Sequence, residues 1–491
     1  MNSFKLLIFE FLLFYALGIK IMEDLQFVEN PSLNYPQIRI HLDYTNVEDG
    51  SFKDYLRVHL MPAAVDYLQG ALRVKRPLKE AMQFPANYKF CGTPSTPELY
   101  TNGIKSDYTL IVTTCSLKNT SFAAETFTCY RAPSGRPVVG KMNFNLDNMP
   151  HQQLSSVTQE RNIVLVLHEI IHALGFSVPS FLNFRDEFGN PRKNHWRTLD
   201  SDGPERKILD VEPLTQRLRD HFQCPSIPGA LMEDDGGSGT KNHHFERRIF
   251  LYEIMTSGIM NGMRISEFTL AILEGSGWYI PDYNFAEPFY FGKGKGCDFY
   301  YGFNIQNSTY GYGYCSSLST RGCSPTGRAG GKCFNDATSG GHYYHRPHND
   351  FDCENPNAEI NARLKGMELF GKGKNSKCFG GTLEKEYKTG EQTSFCFQYD
   401  CKYEGLDTVV EVLVGNQKVV CREEGAVKVQ GFTGELFCPD PIPYCSTLGK
   451  RFCPRGCMGR GDCKNGKCVC RPGYTGFDCT LFQDNFLELP W

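Results

Sequence analysis

The sequence has almost no net charge. Its 52 lysines and arginines nearly cancel 55 aspartates and glutamates, leaving a formal −3. A basic surface for nucleic acid or an anionic membrane is therefore not expected. No long-period internal repeat and no low-complexity tract occurs, so the chain does not read as a repeat array. Beyond the N-terminus no stretch reaches the roughly 18 apolar residues that a membrane-spanning helix needs. Cysteine is scarce at first: of 21, only Cys91, Cys115, Cys129 and Cys224 precede residue 290.

What is there is ordinary in bulk. Hydrophobic residues make up 41% and charged residues 22% of 491, which suits two to four globular domains and rules out wholesale disorder. The remaining cysteines crowd into the last two-fifths, a density that fits an oxidising compartment where bridges replace a large core. Lys5 followed by the apolar run Leu6–Leu17 and the small residues Ala16 and Gly18 has the layout of a signal peptide, residues 1–18. Glu10 interrupts that run, and an uncleaved membrane anchor is the alternative. Asn119-Thr-Ser and Asn307-Ser-Thr are glycosylation acceptors consistent with secretion. The tail from Thr480 to Trp491 is too short and polar for a lipid-anchor signal.

Periodicity supplies the architecture. Ile38–Tyr44 alternates as a half-buried strand, Tyr108–Thr113 reads as a buried one, and Arg136–Leu146 alternates after a proline, which suits a sheet edge. Leu56, Leu60, Ala63, Ala64, Tyr67 and Leu68 share one helical face. A second helix, capped by Ser155 or Ser156, runs to Leu174, where Gly175 lets the chain turn sharply away. Further helical spacing recurs at Leu209–Phe222, Phe245–Tyr252 and Ile265–Leu273, and Thr408–Leu413 reads as a strand. The order predicts an α+β layer with the second helix packed on a sheet.

That helix carries the chemistry. Ile163–Phe176 reads IVLVLHEIIHALGF, with His168 and His172 four apart and so on one face, where two imidazoles can grip one zinc ion. Glu169, one step round, can take the proton of a water that the zinc activates and hand it on to the leaving amine of a cleaved peptide bond. The motif alone arises by chance in roughly one such chain in 60, but a buried histidine pair on an apolar helix needs a compensating partner. Zinc needs a third protein ligand. At the spacing of the short metzincin pattern stands Val178, which leaves His195, His221, His243, His244 and the group His342, His345 and His348 as candidates.

The combination resembles the leishmanolysin family of metzincin proteases. HEIIHALGF, then HHFERRIFLYEIMT from His243 to Thr256, RPVVGKMNF, FTLAILEGSGWY and FGKGKGCDF all match, so the likeness covers roughly residues 37–440. It implies a metzincin-type catalytic domain, a twisted mixed sheet with an active-site helix, interrupted by an inserted central domain. It also implies one zinc ion held by His168, His172 and His244, Glu169 as base, and Met255 in a turn beneath the metal. Family spacing favours bridges Cys91–Cys129 and Cys224–Cys297, leaving Cys115 unpaired. Two features depart from the family: its long propeptide with a zinc-blocking cysteine and its lipid anchor have no counterpart here.

Cys453, Cys457, Cys463, Cys468, Cys470 and Cys479, with Gly473-Tyr474-Thr475-Gly476, resemble an epidermal-growth-factor-like repeat, which implies pairs Cys453–Cys463, Cys457–Cys468 and Cys470–Cys479. The expected domains are a signal peptide 1–18, a short segment 19–36, an N-terminal catalytic subdomain 37–178 and a central subdomain 179–280. A disulfide-rich, mainly β region 281–450, the repeat at 451–480 and a tail 481–491 follow. The reading is a secreted zinc endopeptidase acting on extracellular polypeptides, with no nucleic-acid partner. The alternative is a non-catalytic adhesion protein on the same scaffold, binding an extracellular partner through its C-terminal module.

Overall fold

The computed structural model describes residues 27, 35–94, 96–120, 122–151, 156–199, 206–260 and 262–301, and shorter stretches between 314 and 482. The expected signal peptide, Asn307, His342 and Cys453 lie outside the described residues. Two compact units result. The first gathers described residues of Met1–Gln153, Leu165–Lys193 and Ala271–Tyr283; the second takes Leu154–Val164, Asn194–Leu270 and the chain from Asn284 on.

The first unit is built on a four-stranded sheet. Its strands are β1 (Ile40–Asn46), β2 (Tyr108–Cys115), β3 (Ala124–Arg131) and β4 (Pro137–Asn145), in the order β1-β2-β4-β3. β1, β2 and β4 are parallel and β3 is antiparallel. The expected edge position of Arg136–Leu146 is thus corrected: β4 lies inside the sheet and β3 forms the edge. Pro137 is the first residue of β4, where a missing N–H interrupts no ladder, so a proline there is equally compatible with an interior strand. Gly140, within β4, has no room for a side chain, because an added Cβ would collide with the Tyr108 hydroxyl.

Two helices supply the rest. The first, α1, runs through Ser51–Asp54, a wider π-type turn Tyr55–Leu60, and Met61–Ala71. The wider turn comes just before Pro62, which has no amide to donate and crowds the carbonyl four residues back. Its predicted apolar face, Leu56 to Leu68, is buried. The second, α2, is Ser156–Leu174; Val166, Leu167, Ile170, Ile171 and Leu174 are all buried, and each such aliphatic side chain contributes about 1.5–3 kcal/mol. With the residues just after it, Arg161–Phe181 is long and apolar enough to cross a membrane, contrary to the expectation from the sequence. Yet 72% of its apolar window is buried inside the protein, as in a core helix.

Within the second unit lie α3 (Glu212–Phe222), a short turn of helix Arg247–Phe250, and most of the first turn of α4 (Glu267–Gly275). Cys224 is bridged to Cys297. Farther along come an antiparallel sheet of four strands between Tyr314 and Asp352 and one of six between Ser376 and Cys438. The six-stranded sheet buries Phe379, Phe395, Phe397, Val410, Val412 and Leu436. Bridges Cys315–Cys333, Cys323–Cys378, Cys353–Cys396, Cys401–Cys445 and Cys421–Cys438 staple these sheets. Two small hairpins follow, with Cys457–Cys468 and Cys470–Cys479 paired.

Gly175 needs correction too. Its φ is not positive, so left-handed freedom is not what it supplies. The position a Cβ would take lies 3.4 Å from the Trp278 ring and 3.7 Å from Leu273, an ordinary van der Waals contact. Gly175→Ala should therefore shift stability by less than about 1 kcal/mol in denaturant unfolding, the scale of Gly-to-Ala changes at compatible dihedrals. A loss of several times that amount would reinstate the left-handed turn.

Candidate metal centre

The helix α2 presents His168 and His172 as its periodicity requires. Their Nε2 atoms are 3.0 Å apart and their rings are perpendicular, with centroids 4.5 Å apart. The His172 Nδ1 lies 2.5 Å from the Phe176 carbonyl oxygen. A carbonyl only accepts, so Nδ1 carries the proton and Nε2 the lone pair. His244 repeats the device, with Nδ1 3.0 Å from the Thr240 carbonyl. Ligand nitrogens of His168, His172 and His244 all lie within 4.8 Å of one another.

The donor set fits zinc. Two nitrogens each about 2.0–2.1 Å from a tetrahedral ion stand about 3.3 Å apart, close to the separation of the α2 pair. Histidines that ligate metals typically have the other ring nitrogen held by a carbonyl or carboxylate, which fixes tautomer and ring direction.

Glu169 is buried beside this pair. The Thr126 hydroxyl on β3 donates to its Oε2 over 3.1 Å, and Thr128, two residues along the same face, donates to the Ala173 carbonyl. Burial pushes the Glu169 carboxyl up to about 8; the Thr126 hydrogen bond opposes that and nearby Glu125 adds to it. Thr126 was not singled out in the sequence. Its signal was its place in a strand, which only the pairing of β3 with β4 turns into proximity to α2.

In the second unit, Met255 is fully buried. Its backbone N–H donates to Glu253 Oε2 over 2.6 Å, and its carbonyl accepts from Phe245 N–H. Glu253 also accepts from the Ser266 amide and hydroxyl, 3.3 and 2.7 Å, and from the Thr269 hydroxyl, 2.5 Å. One buried carboxylate therefore ties the turn bearing Met255 to the start of α4. The sequence showed Glu253 only as part of a motif.

Among the described residues, His195, His221 and His345 are not part of that group. The His221 ring is packed among Phe222, Phe268 and Phe289, its Nε2 bonds to the Phe291 carbonyl, and burial pushes its pKa down to about 4. His345 is buried in the four-stranded sheet and likewise lowered to about 4. His195 is buried, and its carbonyl accepts from Asp210. Asn119 is exposed in a turn with φ 66°. Cys91 is bridged to Cys129 on β3, and Cys115 is unpaired.

The leishmanolysin family pattern matches residues 48–344, more than half of the chain and all three histidines. The chain belongs to the leishmanolysin family. A teneurin-like EGF domain matches residues 453–481, as the cysteine spacing implied. Among related proteins, a leishmanolysin-like peptidase of Drosophila melanogaster is 35% identical over 199 residues, covering 33% of this chain and 28% of that one. A Caenorhabditis briggsae leishmanolysin-like peptidase is 28% identical over 366 residues, 55% of this chain and 53% of its own. The ciliated left-right organizer metallopeptidase of Danio rerio is 25% identical over 329 residues, covering 65% and 51%. The matched part thus spans between about a quarter and a half of the length of these relatives.

Glu253 makes a measurable prediction. Burial raises its carboxyl from the ordinary 4.5 to about 7, against the pull of its four donors. Between those values the folded protein keeps a proton that the unfolded chain has released. Stability from this group therefore falls as pH rises from 4.5 to 7 and is level above. Glu253→Gln should remove that component, on the order of 3 kcal/mol, when urea unfolding of the two proteins is compared across the interval. Parallel stability profiles would contradict the assignment.

Proposed function

We propose that the protein is a zinc-dependent endopeptidase with a metzincin-type catalytic domain, acting on extracellular polypeptides. The observation that carries this reading is the convergence of His168, His172 and His244 with Glu169 next to the first of them. One zinc ion would be held through the three imidazoles, and when bound it supplies Lewis acidity towards a water and a peptide carbonyl.

The chain's own groups do the rest. The Phe176 and Thr240 carbonyls keep the His172 and His244 rings aimed. Glu169 accepts a proton from the attacking water and later delivers it to the departing amine, and Thr126 restricts which way its carboxylate points. β3 lies at the sheet edge alongside α2, and an edge strand offers an extended peptide a row of backbone groups to pair with. Such pairing reads main chain rather than side chain. The bridges and the EGF-like match support an extracellular setting.

Three variants test the reading. Glu169→Gln should retain zinc and lose at least about a hundredfold in turnover of a denatured protein mixture, since the base is removed and the ligands are kept. A chelator should abolish wild-type cleavage. His244→Ala should yield a zinc-poor, inactive protein, while His243→Ala keeps most of both, because two histidines hold zinc weakly. Zinc content and mapped cut sites are the measurements. A Glu169→Gln protein as active as wild type would refute the mechanism. An inert wild type with full zinc would favour the adhesion alternative resting on the EGF-like module.

A further inference from the structure

Within the first unit, apart from the three histidines, lies a cavity of about 230 Å³ lined by Lys75, Arg76, Arg136 and Arg185, with Trp278 and Gly189 in its wall. No carboxylate lines it. Four cations around one small space repel each other, and an anion entering that space relieves the repulsion.

Backbone carbonyls hold Arg136 and Arg185 in place. Arg136 is only 2% exposed; its guanidinium donates to the Asp107 carbonyl over 2.7 Å and to the Arg76 carbonyl over 3.4 Å. The carboxylate of Asp107 attracts Arg136 electrostatically, while its hydrogen bonds go to Arg39 and the Leu78 amide. Arg185 donates through Nε to the Ser134 carbonyl over 2.9 Å, which also accepts from the Trp278 indole. Neither Lys75 nor Arg185 has a salt bridge among the described residues. The Lys75 ammonium is half-buried, and burial lowers its pKa although Glu274 and Glu187 pull the other way. The carboxylate of Asp186, next in sequence to Arg185, is occupied by the Phe188 and Asn190 amides.

We propose that this cavity binds a small oxyanion, a sulfate or phosphate group. Guanidinium forks match tetrahedral oxyanions geometrically, and a charged pair of this kind is stronger than a neutral hydrogen bond. The volume lies below the roughly 300 Å³ at which sites for drug-sized ligands begin, so one oxyanion with its waters fits better than a nucleotide. The group can arrive as a free ion or as a phospholipid headgroup. The tip residue Phe188 is 78% exposed between the lining residues Arg185 and Gly189.

The test uses the zinc-loaded full chain. Calorimetric titration with sodium sulfate and with sodium phosphate, at constant ionic strength against chloride, should give one saturable site. Lys75→Met and Arg185→Gln, both half-exposed and outside the metal centre, should each weaken it about tenfold or more, with unfolding midpoint and zinc content unchanged. Vesicles of phosphatidylcholine with and without phosphatidic acid separate the sources. Recruitment only to the acidic vesicles, lost in both variants, assigns a headgroup; binding of the ions without recruitment assigns the free anion. Absence of both overturns the proposal, and so does anion binding that the two variants leave unchanged, which would place it at the zinc.

Discussion

A helix brings residues four apart to one face, and α2 must satisfy two demands with that single rule. One stripe carries Ile163, Val166, Leu167, Ile170 and Leu174 into the core; the adjacent line sets His168 and His172 with their nitrogens 3.0 Å apart. The helix is rich in β-branched residues, which favour it little by propensity. Its stability has to come from packing against the sheet of the first unit, so the histidine pair is only as rigid as that core. The hydroxyls of Thr126 and Thr128 on β3 and the Tyr279 hydroxyl on the Leu174 carbonyl tie down the C-terminal end of the helix.

The parts of this design that follow short periods were legible in the sequence. The spacing of His168, Glu169 and His172, the apolar face of α1 and the strand β2 needed only the helical and strand repeats. The parts that depend on which strand lies beside which were not. Pro137 suggested an edge, and the edge is β3. Gly175 suggested a left-handed turn, and its actual neighbour is the Trp278 ring, about a hundred residues on in the sequence. His221 and His345 carried the same chemical signal as His244. What separates them is burial among aromatic rings and strands, which a linear reading does not contain.

Buried carboxylates show the same limit. Glu253 stands as a lone acidic residue in an apolar stretch, and four donors from Met255, Ser266 and Thr269 converge on it. Isolated from those donors, a charge so deep would be too costly to keep. Its presence therefore marks a junction where the turn holding Met255 meets α4. Likewise Lys75, Arg136 and Arg185 come from segments far apart in sequence, and the short basic stretch Arg73-Val74-Lys75-Arg76 supplies only part of the cavity they share.

The strand Leu72–Val74 pairs with Tyr279–Pro281, and the Trp278 indole reaches back to the Ser134 carbonyl across 144 residues. During synthesis on the ribosome the first unit thus cannot close when its sheet has emerged; it waits for the chain as far as Pro281. At about 5–20 residues per second the 136 residues from Asn145 to Pro281 take roughly 7–27 s, with the second unit's central stretch emerging in between. Contacts this distant slow folding because the intervening loop must be ordered before they form. The histidine-bearing helix α2 would spend that interval with its apolar stripe incompletely covered, so the nascent protein, far more than the finished one, is the form that needs chaperones.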